Sequence, residues 1–91
     1  MVLKWTVSAE RDLGLIHAFL APVNSLAAAK VIKQLVAGAQ QLLIYPQLGV
    51  ALDEFAPRDV RRVIVGDYEL RYEVTEKLIY ILRLWHARED R

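Results

Sequence analysis

Arg61-Arg62-Val63-Ile64-Val65-Gly66-Asp67-Tyr68-Glu69-Leu70-Arg71-Tyr72-Glu73-Val74, followed after Thr75-Glu76-Lys77 by the run from Leu78 to Asp90, decides the fold. Tyr68, Leu70, Tyr72 and Val74 alternate with Glu69, Arg71 and Glu73, the period of a strand with one apolar and one charged face. Gly66-Asp67 interrupts the pattern for two residues with Gly first, as a type II′ hairpin turn requires. Thr75-Glu76-Lys77 supplies a second, looser reversal. The last third therefore reads as three successive antiparallel strands.

Upstream, Leu3 to Val7 is a short strand with Leu3, Trp5 and Val7 on one side. Ser8 is placed to cap a helix, with Glu10 and Asp12 in its first turn where the helix dipole favours acids. Ala9, Leu13, Ile16 and Leu20 recur along one stripe of that helix. Ala21-Pro22-Val23 breaks it, and Asn24 caps a second helix from Ser25 to about Ile44. There Ala28, Ile32, Leu35, Ala39 and Leu42 face one way, and Lys30, Lys33, Gln34, Gln40 and Gln41 the other. So short a link predicts an αα-hairpin. Pro46 ends the second helix, Pro46-Gln47-Leu48-Gly49 reads as a turn, and Asp53 to Asp59, with Pro57, reads as loop. The expected architecture is α+β, in the order β-α-α-β-β-β, as a single domain over residues 1–91. The N-terminal strand and αα-hairpin pack on one face of an antiparallel sheet.

The chain has 91 residues, a formal net charge of +1, two histidines and no cysteine. Apolar residues make up 55%, a share unchanged when the four Tyr are exchanged for the four Gly. Soluble domains usually hold roughly 45–50%. A chain this short hides only part of its surface, so the excess predicts an apolar patch left outside, where partners bind. A charge so near neutrality argues against a general nucleic-acid binder, which is usually strongly basic. Disulfide and thiolate chemistry are excluded, and two histidines without cysteine do not make an ordinary zinc site. Met1-Val2-Leu3-Lys4-Trp5 is unlike the start of a signal peptide, and no apolar run approaches the roughly 18 residues of a membrane span. The expectation is a soluble cytoplasmic domain with no membrane partner, metal or cofactor.

The polar face of the sheet concentrates the chemistry. Across a two-residue turn at Gly66-Asp67, Val65 faces Tyr68, Val63 faces Leu70 and Arg62 faces Arg71. Two arginines directly opposite repel by a few tenths to about one kcal/mol unless an anion lies between them. With Tyr72 opposite Tyr80 across the second reversal, Glu69 faces Arg83 and Arg71 faces Ile81. Arg62, Arg71 and Arg83 then share one face, with Ile64, Ile81 and Trp85 around them and Glu69 in partial compensation. Guanidinium groups beside exposed Ile and Trp suit an amphipathic peptide carrying carboxylates, or a phosphate backbone. The alternative is a solvated face on which Glu69, Glu73 and the arginines pair off, each pair worth little.

No catalytic constellation stands out. Ser8 and Ser25 sit at helix starts, so a Ser-His-Asp triad has no good nucleophile, and there is no P-loop or dinucleotide fingerprint. Asp53-Glu54 is a lone acidic pair in a loop, and His17 a residue of the first helix surface. His86 ends the last strand, where alternation groups it with the core-facing Tyr80, Leu82 and Leu84 in a hydrogen-bonding role. Its nearness to arginines also leaves a general acid or base role open.

Several stretches carry a family likeness by their order and spacing. They are Ala9-Glu10-Arg11-Asp12-Leu13-Gly14-Leu15-Ile16; Ala27-Ala28-Ala29 through Leu42 with Pro46 and Gly49; Arg61-Arg62 with Val65-Gly66-Asp67-Tyr68 and Tyr72-Glu73-Val74; and Leu82-Arg83-Leu84-Trp85-His86-Ala87-Arg88. Together they resemble the RelE/ParE superfamily of type II toxin–antitoxin toxins, in its ParE-like branch. The likeness spans essentially the whole chain.

The resemblance implies a toxin that inhibits growth until it is wrapped by a cognate antitoxin. That antitoxin is acidic and partly disordered and forms a hetero-oligomer with the toxin. In ParE-like members the implied target is DNA gyrase, trapped in its cleaved-DNA state, so that DNA is met only indirectly. Plasmid stabilisation is an associated role. RelE-like members instead cut mRNA on the ribosome with lysines and arginines of this sheet face and a C-terminal tyrosine. Arg62 falls where one such lysine would lie, but Glu69 stands where the ribonucleases carry an arginine. No lysine occurs between Lys33 and Lys77, and the chain ends at Arg91. In-line attack by a ribose hydroxyl needs a base, an acid and charge stabilisation, and this face offers mainly the last. The expected partner contacts are Arg62, Arg71, Arg83, Trp85 and Arg88 with the C-terminal tail. The catalytic candidates of the alternative, endonuclease reading are Arg62, Arg71, Arg83 and His86.

Overall fold

The structure, a computed structural model, describes residues 1–89; Asp90 and Arg91, the expected end of the last strand and tail, lie outside the described residues. Its elements are β1 (Val2–Trp5), α1 (Val7–Leu20), α2 (Ser25–Gln41), β2 (Val50–Ala51), β3 (Asp59–Val65), β4 (Tyr68–Val74) and β5 (Leu78–His86). A single 3-10 turn, Asp53–Phe55, lies between β2 and β3. The order matches the sequence expectation apart from β2, which lies between the Pro46–Gly49 turn and the loop, and the 3-10 turn inside the Asp53–Asp59 stretch read as loop.

Gly66 closes the β3–β4 hairpin at φ 61°, and no non-glycine residue described has a positive φ. Only the first of the two turn residues is left-handed, which is the II′ form, so Asp67 serves without strain. The turn fixes the register as expected, with Val65 opposite Tyr68, Val63 opposite Leu70 and Arg62 opposite Arg71. The sheet runs β1-β5-β4-β3-β2. β1 joins β5 in parallel, so the sheet is antiparallel only from β5 to β2.

The second reversal departs from expectation. Tyr72 lies opposite Ile81, not Tyr80, and an irregularity between Arg71 and Tyr72 then sets Arg71 opposite Arg83 and Glu69 opposite Trp85. One extra residue on β5 shifts which side chains face the core. Ile79 and Ile81 turn inward with Leu84, and Ile81 is fully buried rather than exposed beside the arginines.

Thr6, not Ser8, caps α1: its Oγ1 accepts from Ala9 N at 3.0 Å and donates to Leu82 O at 2.9 Å. The cap thus also straps the helix start to β5. Asn24 Oδ1 caps α2 as expected, accepting from Ala27 N at 3.0 Å. After Gln41 the amides of Leu42, Leu43 and Ile44 bond three residues back, so the helix tightens into turns before Pro46. Leu35 and Ala39 of α2, its C-cap Leu42 and Ala9 of α1 bury against Leu70, Tyr72, Ile79, Ile81 and Leu84 of the sheet. Each large aliphatic hidden there contributes about 1.5–3 kcal/mol. The helical pair therefore covers one face of the sheet, and Leu15, Phe19, Val23 and Leu26 of the hairpin remain exposed. Part of the apolar excess of the composition lies there, and part in the segment after α2, where Ile44, Tyr45, Leu48 and Val50 are also exposed.

Tyr72 pins the loop after α2 to this core. Its hydroxyl donates to Pro46 O and accepts from Gly49 N, each at 2.8 Å. Arg61 donates to Gly49 O at 2.9 Å. Gly49 is required by close approach, since a Cβ there would lie 2.5 Å from Arg62 O. Burial raises the Tyr72 hydroxyl pKa above the ordinary tyrosine value.

Candidate functional site

On the sheet face away from the helices, three adjacent strands set Arg62, Arg71 and Arg83 directly opposite one another. The register thus brings together the three arginines singled out from sequence, although β5 reaches that arrangement by a different pairing. Their surroundings differ sharply.

Arg83 is engaged. Its Nε donates to Asp12 Oδ2 at 2.7 Å and its terminal nitrogen to Asp12 Oδ1 at 3.2 Å. Asp12 also accepts from Leu84 N at 2.9 Å. β1 pairs with β5 only over Leu78 to Ile81, so Asp12 from α1 caps the strand edge that β1 leaves uncovered. The carboxylate raises the Arg83 pKa further above its ordinary value, chiefly through the hydrogen bond. The sequence reading puts Asp12 in the first turn of the helix, but it lies past that turn in α1, is buried, and joins α1 to β5 across 71 residues of sequence.

Arg71 is stacked. Its guanidinium carbon lies 4.8 Å from the Trp85 ring centre and 5.6 Å from that of Phe55, which the 3-10 turn carries. Its Nε is buried without a hydrogen-bond partner. Trp85 is only 6% exposed, so it supports Arg71 instead of standing out beside it as expected. Arg62 is the most exposed of the three and lies at 3.7 Å from Glu69, which is also 3.5 Å from Arg71. Ile64, opposite Glu69, is half exposed and supplies the apolar neighbour that Trp85 does not.

Toward the far end of the face, Arg58 donates to Glu73 through two nitrogens at 2.7 and 3.1 Å. That bond holds the Glu73 carboxyl below its ordinary pKa, against a smaller opposing effect of burial.

His86 pairs opposite Tyr68, on the helix side of the sheet, and its ring meets the Tyr68 ring edge-on at 5.3 Å. Its Nδ1 accepts from Arg88 N at 3.2 Å, which places the ring proton on Nε2 in the neutral imidazole. The histidine and the arginine row are therefore on opposite sides of the sheet. Arg88 itself is exposed at the end of the described chain. His86, Trp85, Leu84, Tyr68 and Glu89 of the sheet end line a groove of about 430 Å³ with Asp12, Leu15, Ile16 and Phe19 of α1.

Sequence reasoning missed Asp12, Phe55 and Arg58. The first two act over distances that no local pattern encodes, and Arg58, just before β3, meets Glu73 only through the β3–β4 register. Among the described residues no cluster of His, Asp or Glu is placed to hold a metal, and no helix is long and apolar enough to cross a membrane.

The family model for the ParE toxin of the type II toxin–antitoxin system parDE matches residues 3–91. The chain belongs to the ParE toxin family. As a type II toxin it is of a class that pairs with a cognate antitoxin. Toxin RelE2 of Caulobacter vibrioides is 33% identical to this ParE-family chain over 84 residues, covering 91% of each. A solved structure of the chromosomal ParDE TA system from P. aeruginosa superposes with a TM-score of 0.79 at 26% identity. It covers 94% of this chain and 95% of the other. The superposition carries the α+β fold, with its N-terminal strand, paired helices and sheet.

Proposed function

We propose that this ParE-family toxin acts in the cytoplasm by binding DNA gyrase and stalling it on cleaved DNA, and that a cognate antitoxin restrains it. The observation carrying this reading is a guanidinium face whose one adjacent carboxylate on the strands, Glu69, is shared between Arg62 and Arg71 and has no histidine beside it. Arg62 and Arg71 offer charge for grasping a macromolecule, while the histidine nearest in sequence lies across the sheet. Arg62, Arg71 and Arg88 are the proposed direct contacts. Arg83 and Trp85 hold that surface in shape from Asp12 and from beneath Arg71. The antitoxin is proposed to be acidic and disordered in part, ordering as it covers basic and apolar surface.

A second reading, ribosome-dependent cleavage of mRNA, is favoured by the name RelE2 of the relative. It would draw on Arg62, Arg71, Arg83 and His86. Hydrolytic or transesterification chemistry requires an acid and a base within reach of one phosphate, and the carboxylates touching the arginine row, Glu69 and Asp12, are each paired with the arginines themselves.

Supercoiling by purified gyrase, run beside a translation reaction with mapped mRNA ends, separates the two. Loss of supercoiling with accumulated cleaved DNA and intact mRNA is the expected outcome. Codon-biased mRNA ends with unimpaired supercoiling would replace the first reading with the second.

A further inference from the structure

We propose that Arg62 and Arg71 form a seat for an aspartate or glutamate side chain of a protein partner, with Glu69 as its internal placeholder. The partner carboxylate displaces Glu69 on binding. This rests on the arginine face being the contact surface, and it names what that face takes.

The ion pairs of this sheet fall into two kinds. Arg58–Glu73 and Arg83–Asp12 close to 2.7 Å and Arg61–Asp59 to 2.8 Å, the range of a strong charge-assisted hydrogen bond. Glu69 instead stands 3.7 Å from Arg62 and makes only a long, 3.5 Å hydrogen bond from Arg71. One carboxylate is shared by two guanidinium groups that the register holds opposite each other, where like charges repel. Arg71 also keeps a buried Nε with no partner. A second carboxylate adds the missing negative charge and bonds the terminal nitrogens of both arginines.

The setting favours a protein carboxylate over a nucleic-acid phosphate. The chain carries a net charge of only +1, so long-range attraction to a polyanion is weak. Phe55 and Trp85 pack the sides of Arg71, and half-exposed Ile64 lies next to Glu69. The accessible part of this apolar margin, Ile64 with the partly buried Phe55, suits a peptide in which an acidic residue is flanked by aliphatic ones.

The test is an NMR titration of the purified chain, following the arginine side-chain signals. The probes are an acetylated Leu-Glu-Leu-Glu peptide, its Gln counterpart, inorganic phosphate and single-stranded RNA. The Glu peptide is expected to shift Arg62 and Arg71 and the Gln peptide to leave them unmoved. Glu69→Gln should bind the Glu peptide roughly three- to fivefold more tightly, the scale of one exposed ion pair removed from competition. Arg71→Gln should abolish the response. Glu69→Gln leaves the fold in place if its backbone spectrum overlays the wild type, and Glu69→Ala provides the same comparison should it not. Equal affinity in wild type and both Glu69 variants, or stronger perturbation by phosphate or RNA than by the Glu peptide, would overturn the proposal. The titration uses no gyrase, so its failure is distinct from failure of the supercoiling assay.

Discussion

Asp12 and Arg83, on the first helix and the last strand, form a two-point ion pair at 2.7 and 3.2 Å, and the same carboxylate caps the Leu84 amide. Three hydrogen bonds on one buried acid dock α1 against the edge of β5 that β1 does not reach. Asp12→Ala leaves the Leu84 N–H unsatisfied and Arg83 unpaired, and is expected to cost about 1–3 kcal/mol. Arg83→Ala should cost less, because Asp12 keeps its backbone bond. Urea unfolding of both single variants and the double variant measures this; a coupling energy near zero would show that the pair does not hold the helix.

Arg71→Ala gives a different signature. The stacked guanidinium contributes about 0.5–1 kcal/mol per aromatic contact, while its removal relieves repulsion from Arg62. Stability should change by about 1 kcal/mol or less, and gyrase inhibition should fall strongly. A variant that unfolds, or one that inhibits as well as the wild type, would contradict the assignment of Arg71 to the partner.

Tyr72→Phe removes one hydroxyl that makes two hydrogen bonds, a partly buried one to Pro46 O and a buried one from Gly49 N. The expected cost is about 1–3 kcal/mol, with the loop after α2 losing amide protection first. Gly49→Ala should cost a similar or larger amount, since its Cβ meets the Arg62 carbonyl and the Tyr72 ring. Hydrogen exchange at the amides of residues 47–50 checks both. Unchanged exchange in Tyr72→Phe would remove the hydroxyl from its anchoring role.

The Arg58–Glu73 pair predicts a pH dependence. The Glu73 pKa is lowered in the folded state by Arg58, from an ordinary value of 4.5. Its contribution to stability is therefore fully present above 4.5 and is lost as pH falls through the folded value. Wild type should exceed Glu73→Gln in stability at about pH 6, and the gap should close below 4.5. Urea midpoints of the two, followed down to about pH 3, measure it. A gap that is constant throughout would assign the difference to packing.

The β3–β4 hairpin was legible because a two-residue turn with Gly first leaves one register, and the alternation from Tyr68 to Val74 fixes which face is buried. β5 was not. Leu78, Ile79, Tyr80, Ile81 and Leu82 are apolar at both parities, so a period of two has no phase to read, and the irregularity opposite Arg71/Tyr72 goes unseen. The αα-hairpin followed from Asn24 and Pro22, while the true cap of α1, Thr6, was hidden because its value lies partly in Leu82, on a distant strand. At the site, the arginines were visible as a pattern, but the acid that holds Arg83 and the rings that flank Arg71 come from remote segments. Sequence showed the charges; only the fold shows which of them are already engaged.

The most direct measurement is a DNA supercoiling and cleavage assay with purified gyrase, comparing the wild-type chain with a folded Arg62→Ala/Arg71→Ala variant. Wild type should suppress supercoiling and accumulate cleaved DNA, and the variant should do neither. Unimpaired supercoiling at saturating wild type, or equal inhibition by the double variant, would contradict the account.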